Sequence, residues 1–292
     1  MSGTLWVLPA TAVLAYVLLG AVLFVAQRRL IYLSQRYPQR QMEARRAGLG
    51  LCSWPSTDAD PLGFVHRDGP ADPLVDVLVF HGNAGSALDR TYYITDLEGL
   101  GCRVVLCEYP GYGAMPGRPT QKALIDAGIR AARAAYESFG RPPVLLGESL
   151  GAAVAAAVAG SGKVQVQGAI LITPWDSLPE LAQRLYWYLP ARWFVLDRYD
   201  NVAALCSFDR PVAIVMAERD QIVPACATLR LYESLQCPKR IWRLSGVGHD
   251  NWLAAVDRAW WAEVLDFVRS QAQVHPVTSA GSRQRGRQQT IH

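Results

Sequence analysis

A chain of 292 residues, half of them hydrophobic and without a visible internal repeat, is long enough to bury one full-sized core and too apolar to be disordered in bulk. Its formal charge of +4 is unevenly spread: nine of the 29 basic residues lie in residues 28–46 and 271–292, which together hold one of the 25 acids, so the body between them is mildly acidic. That distribution argues against nucleic acid as a partner and for a membrane surface. The six cysteines show no C-x-x-C spacing, which excludes the common zinc and dithiol motifs; all six read as free thiols, and no metal or cofactor is expected.

Residues 5–26 contain no charge, and at about 1.5 Å per residue this run spans a bilayer core of about 30 Å. A cleavable signal peptide is the rival, but no Lys or Arg precedes the run, it is too long, and Phe24-Val25-Ala26 is a poor cleavage site. Residues 1–26 are therefore read as a single-pass transmembrane anchor. Arginines follow the span and none precedes it, which places the bulk of the chain in the cytoplasm. Residues 27–50 form a basic amphipathic connector with two open placements: on lipid through Leu30, Ile31, Leu33 and Tyr37, or packed as a helix on the domain.

Residues 51–67 are expected as strands broken by Pro55 and Pro61, and residues 68–73 as a turn. Strands at 74–80, 103–108, 144–146, 164–172, 212–217 and 240–244 then alternate with helices at 86–100, 120–139, 150–159, 224–235 and 251–269. That alternation is the signature of an α/β domain with a mostly parallel sheet, here covering residues 51–270. An insertion at 174–209 interrupts it with Trp175, Tyr186, Trp187, Tyr188, Trp193, Phe194, Tyr199 and Phe208. These rings either cover a pocket for an apolar substrate or pack the domain and touch the bilayer. Residues 271–292, polar and basic, read as a disordered tail.

The chemistry starts at Gly147-Glu148-Ser149-Leu150-Gly151, a G-x-S-x-G pentapeptide between a strand and an alanine-rich helix. A serine hydroxyl needs a base to become a nucleophile near neutral pH. His249, in a Gly-rich loop after the strand 240–244, is the candidate, because that loop leaves the same sheet edge as Ser149. Asp220, after the strand 212–217, is the carboxylate placed to orient the histidine, with Glu218 and Asp176 as competitors. An oxyanion requires two backbone N–H donors, one commonly worth about 3 to 4 kcal/mol; Leu150 supplies one, and Asn83 in His81-Gly82-Asn83-Ala84-Gly85 the other. His81 is given a structural hydrogen-bonding role.

Together with Glu108-Tyr109-Pro110-Gly111-Tyr112-Gly113, residues 218–224 and Gly248-His249, these motifs resemble the α/β-hydrolase superfamily across residues 50–270. More narrowly they resemble its membrane-anchored bud-emergence-type and ABHD-type serine hydrolases. The resemblance implies an α/β-hydrolase fold and cofactor-free cleavage of acyl ester, thioester or amide bonds, including those of lipids. Two positions depart from the family pattern: Glu108-Tyr109-Pro110 stands where Asp-Tyr-Arg is usual, and Glu148 precedes the serine, a carboxylate expected to disfavour anionic substrates. A peptidase acting on amides and a non-catalytic membrane scaffold are the alternatives, the second disfavoured by the intact Ser149, Asp220 and His249.

Overall fold

A computed structural model describes residues 4–56 and 61–274 of the chain. The apolar amino-terminal run forms one helix, α1 (Thr4–Ile31), and its segment Pro9–Ile31 is long and apolar enough to cross a membrane. The connector then folds as a two-residue strand, β1 (Leu33–Ser34), and a helix, α2 (Gln39–Gly48). Part of the connector packs on the domain, while Leu30 and Leu33 stay exposed. Tyr32 and Met42 are buried, Arg45 pairs with Asp89, and Arg46 donates to the Leu51 carbonyl at 3.1 Å.

The remaining elements are β2 (Leu51–Trp54), β3 (Gly63–His66), β4 (Val75–Phe80), β5 (Ala84–Gly85), α3 (Tyr92–Glu98), β6 (Cys102–Cys107), α4 (Gln121–Phe139), β7 (Val144–Glu148), α5 (Leu150–Ala159) and β8 (Gly168–Ile172). The insertion holds α6 (Leu178–Leu185), α7 (Ala191–Phe194) and α8 (Asn201–Leu205), after which come β9 (Val212–Ala217), α9 (Ala225–Ser234), β10 (Lys239–Leu244) and α10 (Arg258–Val274). Among the described residues, eight strands make one sheet in the order β10-β9-β8-β7-β4-β6-β3-β2, in which β3 alone runs against the others. Strand order reverses beside β4, whose neighbours are β6 and β7. At such a reversal the loops of adjacent strands diverge and leave a crevice at the carboxyl edge.

The core lies on both faces of the sheet, as period-two side-chain alternation requires. Leu78, Phe80, Leu145 and Leu171 face α4, α5 and α9, while Val77, Val79, Leu146 and Ile170 face α3 and α10, with Trp261 and Val264 fully buried between. Each such side chain contributes about 1.5–3 kcal/mol, against about 0.3–0.5 kcal/mol for an exposed helical ion pair such as Lys122–Asp126. Helix α5 is apolar all round and nearly every residue of it is buried, which explains its alanines: bulkier side chains would hold it off the sheet.

Three expected boundaries shift. The helix at 86–100 is a 3₁₀ turn over Ala87–Arg90 followed by the short α3, because the Asp89 carboxylate accepts from the Ser86 N–H (2.7 Å) and hydroxyl (3.2 Å) and winds the first turn tightly. Pairing of β8 with β7 starts only at Val144–Gly168, so residues 164–167 precede the ladder. The closing helix divides into a 3₁₀ turn, Trp252–Ala255, and α10, started by the Asp257 carboxylate capping the Trp260 N–H at 2.8 Å; α10 then continues past residue 271 to Val274. The rest of the expected tail lies outside the described residues.

Candidate active site

Strand β7 delivers Ser149 at φ 52° and ψ −114°, a backbone conformation that non-glycine residues rarely adopt and that costs about 1–3 kcal/mol. The surroundings over-determine it. The Ser149 N–H donates to Ile172 O of the neighbouring β8 at 2.9 Å. A Cβ at Gly147 would lie 2.2 Å from Gly151 O, and one at Gly151 would lie 1.9 Å from Phe80 O, so the turn closes only with glycine at both positions. The hydroxyl is thereby held at the mouth of the crevice rather than tucked into α5.

Strands β9 and β10 are parallel neighbours, and their following loops leave the same edge. Those loops are stitched together by Glu218 N–H to Leu244 O (3.1 Å) and Arg219 N–H to Val247 O (2.9 Å). Within this frame one Asp220 oxygen accepts from the Ile222 and Val223 N–H groups at 2.8 and 2.7 Å. The other lies 2.6 Å from His249 Nδ1, in a side chain only 2% exposed. His249 Nε2 stands 2.9 Å from Ser149 Oγ. With Nδ1–H donating to the carboxylate, Nε2 is left unprotonated to accept from the serine hydroxyl. Ser149, Asp220 and His249 are thus brought into one hydrogen-bonded chain.

The competing residues are placed elsewhere. Glu218 is exposed, and Asp176 is buried between Arg184 (3.1 Å) and Arg230 (2.7 Å). His81 is buried, with Nε2 3.0 Å from a Glu108 oxygen and its ring against Tyr109 and Tyr112. Its carbonyl accepts from the Tyr109 hydroxyl at 3.0 Å, and the Asn83 carbonyl accepts from the Tyr112 hydroxyl at 2.9 Å. The Glu108-to-Gly113 loop therefore holds the Asn83 loop in place. Leu150 begins α5, where a first-turn N–H has no intrahelical acceptor and the helix dipole is positive.

Glu148 behaves differently from its sequence reading. It is buried and turned under the His81–Ser86 loop, paired with Arg90, and accepts from Tyr92 (2.8 Å), Tyr93 (3.1 Å) and the Gly82 N–H (3.1 Å). Burial opposes its ionisation, but the Arg90 charge and these donors outweigh that and hold its carboxyl below the usual range. Its charge is balanced by Arg90 inside the protein. Arg90, Tyr92 and Tyr93 were not legible as site residues, since only the fold brings them to Glu148, 55 or more positions away in the chain.

This sheet order, with the serine turn after β7 and the histidine loop after β10, defines an α/β hydrolase. The chain belongs to the alpha/beta hydrolase family, whose model matches residues 77–281. It is 36% identical over 258 residues to an uncharacterized protein of Mycobacterium tuberculosis, covering 84% of this chain and 88% of the relative. A more distant relative is human alpha/beta hydrolase domain-containing protein 17B, 26% identical over 179 residues and 60% of each chain. Among solved structures, a Pyrococcus furiosus esterase superposes with a TM-score of 0.58 at 16% identity, over 82% of this chain and 95% of its own. The hydrolase GrgF from a Penicillium species gives 0.57 at 17% identity, over 72% and 94%. At these identities the two structures report the fold.

Proposed function

We propose that this chain is a membrane-anchored serine hydrolase, akin to the bud-emergence-type and ABHD-type enzymes, that cleaves acyl ester or thioester bonds through an acyl-enzyme on Ser149. The observation that carries the reading is His249 standing 2.9 Å from Ser149 Oγ on one side and 2.6 Å from Asp220 on the other. His249 takes the serine proton as Oγ attacks the acyl carbon, and the Asp220 carboxylate stabilises the resulting imidazolium. The N–H groups of Leu150 and Asn83 receive the oxyanion. Collapse expels the alkoxide or thiolate, which His249 protonates, and the histidine then activates the water that releases the acid. Alkoxides and thiolates need less help in leaving than amines, which favours esters and thioesters over the peptidase reading.

Residues 1–26 form the anchor, 27–50 its connector and 51–270 the hydrolase domain, with the cytoplasmic side facing the arginines. Retention of the anchor is supported by its continuity with the fold: directly after the apolar run, Arg28 pairs with Asp197 at 2.9 Å and Tyr32 meets Tyr199 at 3.2 Å. A fluorophosphonate probe is expected to label the wild type and not Ser149→Ala. Labelling that survives the substitution assigns the nucleophile elsewhere.

A further inference from the structure

Apart from the half-buried Tyr186, the rings of the insertion divide into two sets. Trp175, Tyr199 and Phe208 are buried in the domain, whereas Trp187 (79% exposed), Trp193 (77%), Tyr188 and Phe194 face outward. The outward set lies beside α1. Tyr16 donates its hydroxyl to the Tyr188 carbonyl at 3.0 Å, the Phe24 and Phe194 rings meet edge to face at 6.3 Å, and Gln27 accepts from the Leu196 N–H at 2.9 Å. Arg28–Asp197 and Tyr32–Tyr199 continue the seam, which follows α1 from Tyr16 to Tyr32 for about 24 Å at about 1.5 Å per residue.

The level of that seam decides what faces the exposed rings. The charge-free run 5–26 has its midpoint at residues 15 and 16. If α1 lies in a bilayer, Tyr16 and the Tyr188 carbonyl bonded to it lie within the hydrocarbon, where a tyrosine hydroxyl and a free carbonyl each need a partner and here supply one another. Residues 186–196 carry a single charge, Arg192, which is 3.9 Å from Glu180. An outward face of Trp, Tyr and Phe with one paired charge suits a lipid boundary, not water.

We infer that residues 186–196 lie in the same membrane as α1, as an aromatic wedge beside it, with Trp187, Trp193 and Phe194 against lipid. The inference rests on the reading above that α1 anchors the chain. It makes acyl chains resident in the bilayer the substrate class favoured at Ser149, because the wedge belongs to the insertion that follows β8 at the sheet edge bearing the serine.

The test uses the full chain reconstituted in phosphatidylcholine vesicles, with phosphatidylcholine brominated on its acyl chains as a contact quencher of tryptophan. Trp187→Phe/Trp193→Phe is expected to remove about half or more of the quenchable emission, the remainder arising from Trp6 in the apolar run. If Trp6→Phe abolishes quenching and the double variant retains it in full, α1 is embedded, the anchor reading stands and the wedge is overturned. Chain that fails to float with vesicles overturns both. Trp187→Lys/Trp193→Lys is expected to lower hydrolysis of a long-chain acylglycerol in vesicles about tenfold and that of p-nitrophenyl butyrate in detergent by less than about twofold. Equal losses on the two substrates count against the wedge. If neither substrate is cleaved even by the wild type, the hydrolase reading fails, while the quenching result still decides the wedge.

Discussion

Glu148 illustrates how far a residue's neighbours in space differ from its neighbours in sequence. Beside the nucleophile it reads as a charge in the site; in the fold it is a buried counter-ion that ties the Asn83 loop to β7 through Arg90, Tyr92, Tyr93 and the Gly82 N–H. Because its folded pKa is depressed, its stabilisation is fully present above its ordinary value of 4.5 and is lost as pH falls through the lower folded value. Glu148→Gln leaves Arg90 uncompensated and is expected to cost about 3 kcal/mol at pH 7. The gap in Tm between wild type and variant should be constant above about pH 4.5 and narrow below it; thermal melts across pH 3–7 measure this, and a gap that widens in acid assigns the stabilisation to another group. Ser149, Asp220 and His249, by contrast, were legible because each follows a recognisable strand, and in a parallel sheet every strand of that direction ends on one edge.

Among the elements, β1 was the least foreseeable. Two residues of strand carry no periodicity, yet Leu33 pairs with Ala84 and Ser34 with Gly85, inside the loop that holds Asn83. Just beyond, Gly113 donates to Gln35 O at 2.9 Å and accepts from the Tyr37 N–H at 2.8 Å. The connector is thus strapped across both loops that shape the crevice. A chain starting at residue 27 keeps the strap and is expected to hydrolyse p-nitrophenyl butyrate in detergent within about twofold of the full chain. One starting at residue 38 loses those bonds, each worth about 1 kcal/mol, and should lose about tenfold or more in kcat. Equal rates in the two truncations make the connector a tether only. The aromatic insertion was visible by composition, but its division into buried and outward rings depends on where α1 and the sheet lie, which local spacing does not encode.

For the whole molecule, topology across the membrane can be read from its thiols. Cys206 and Cys226 are exposed, while burial pushes Cys102 up to about 12 and Cys237 up to about 11, and raises Cys107 as well, leaving those three inert. With the domain cytoplasmic, an impermeant maleimide should label sealed inverted vesicles rapidly and right-side-out vesicles only after detergent; the opposite order reverses the orientation. Alternation of strands and helices, the apolar amino-terminal run and the order Ser149, Asp220, His249 were all legible in the linear chain, because periodicity, hydrophobic length and strand-end chemistry are local properties. Long-range packing settled the rest: that Glu148 is neutralised by Arg90, that Asp176 is occupied by two arginines, and that the connector meets the active-site loops at Ala84, Gly85 and Gly113. Each of those joins residues far apart in the chain, and their pairing depends on which surfaces the folded sheet and helices bring together.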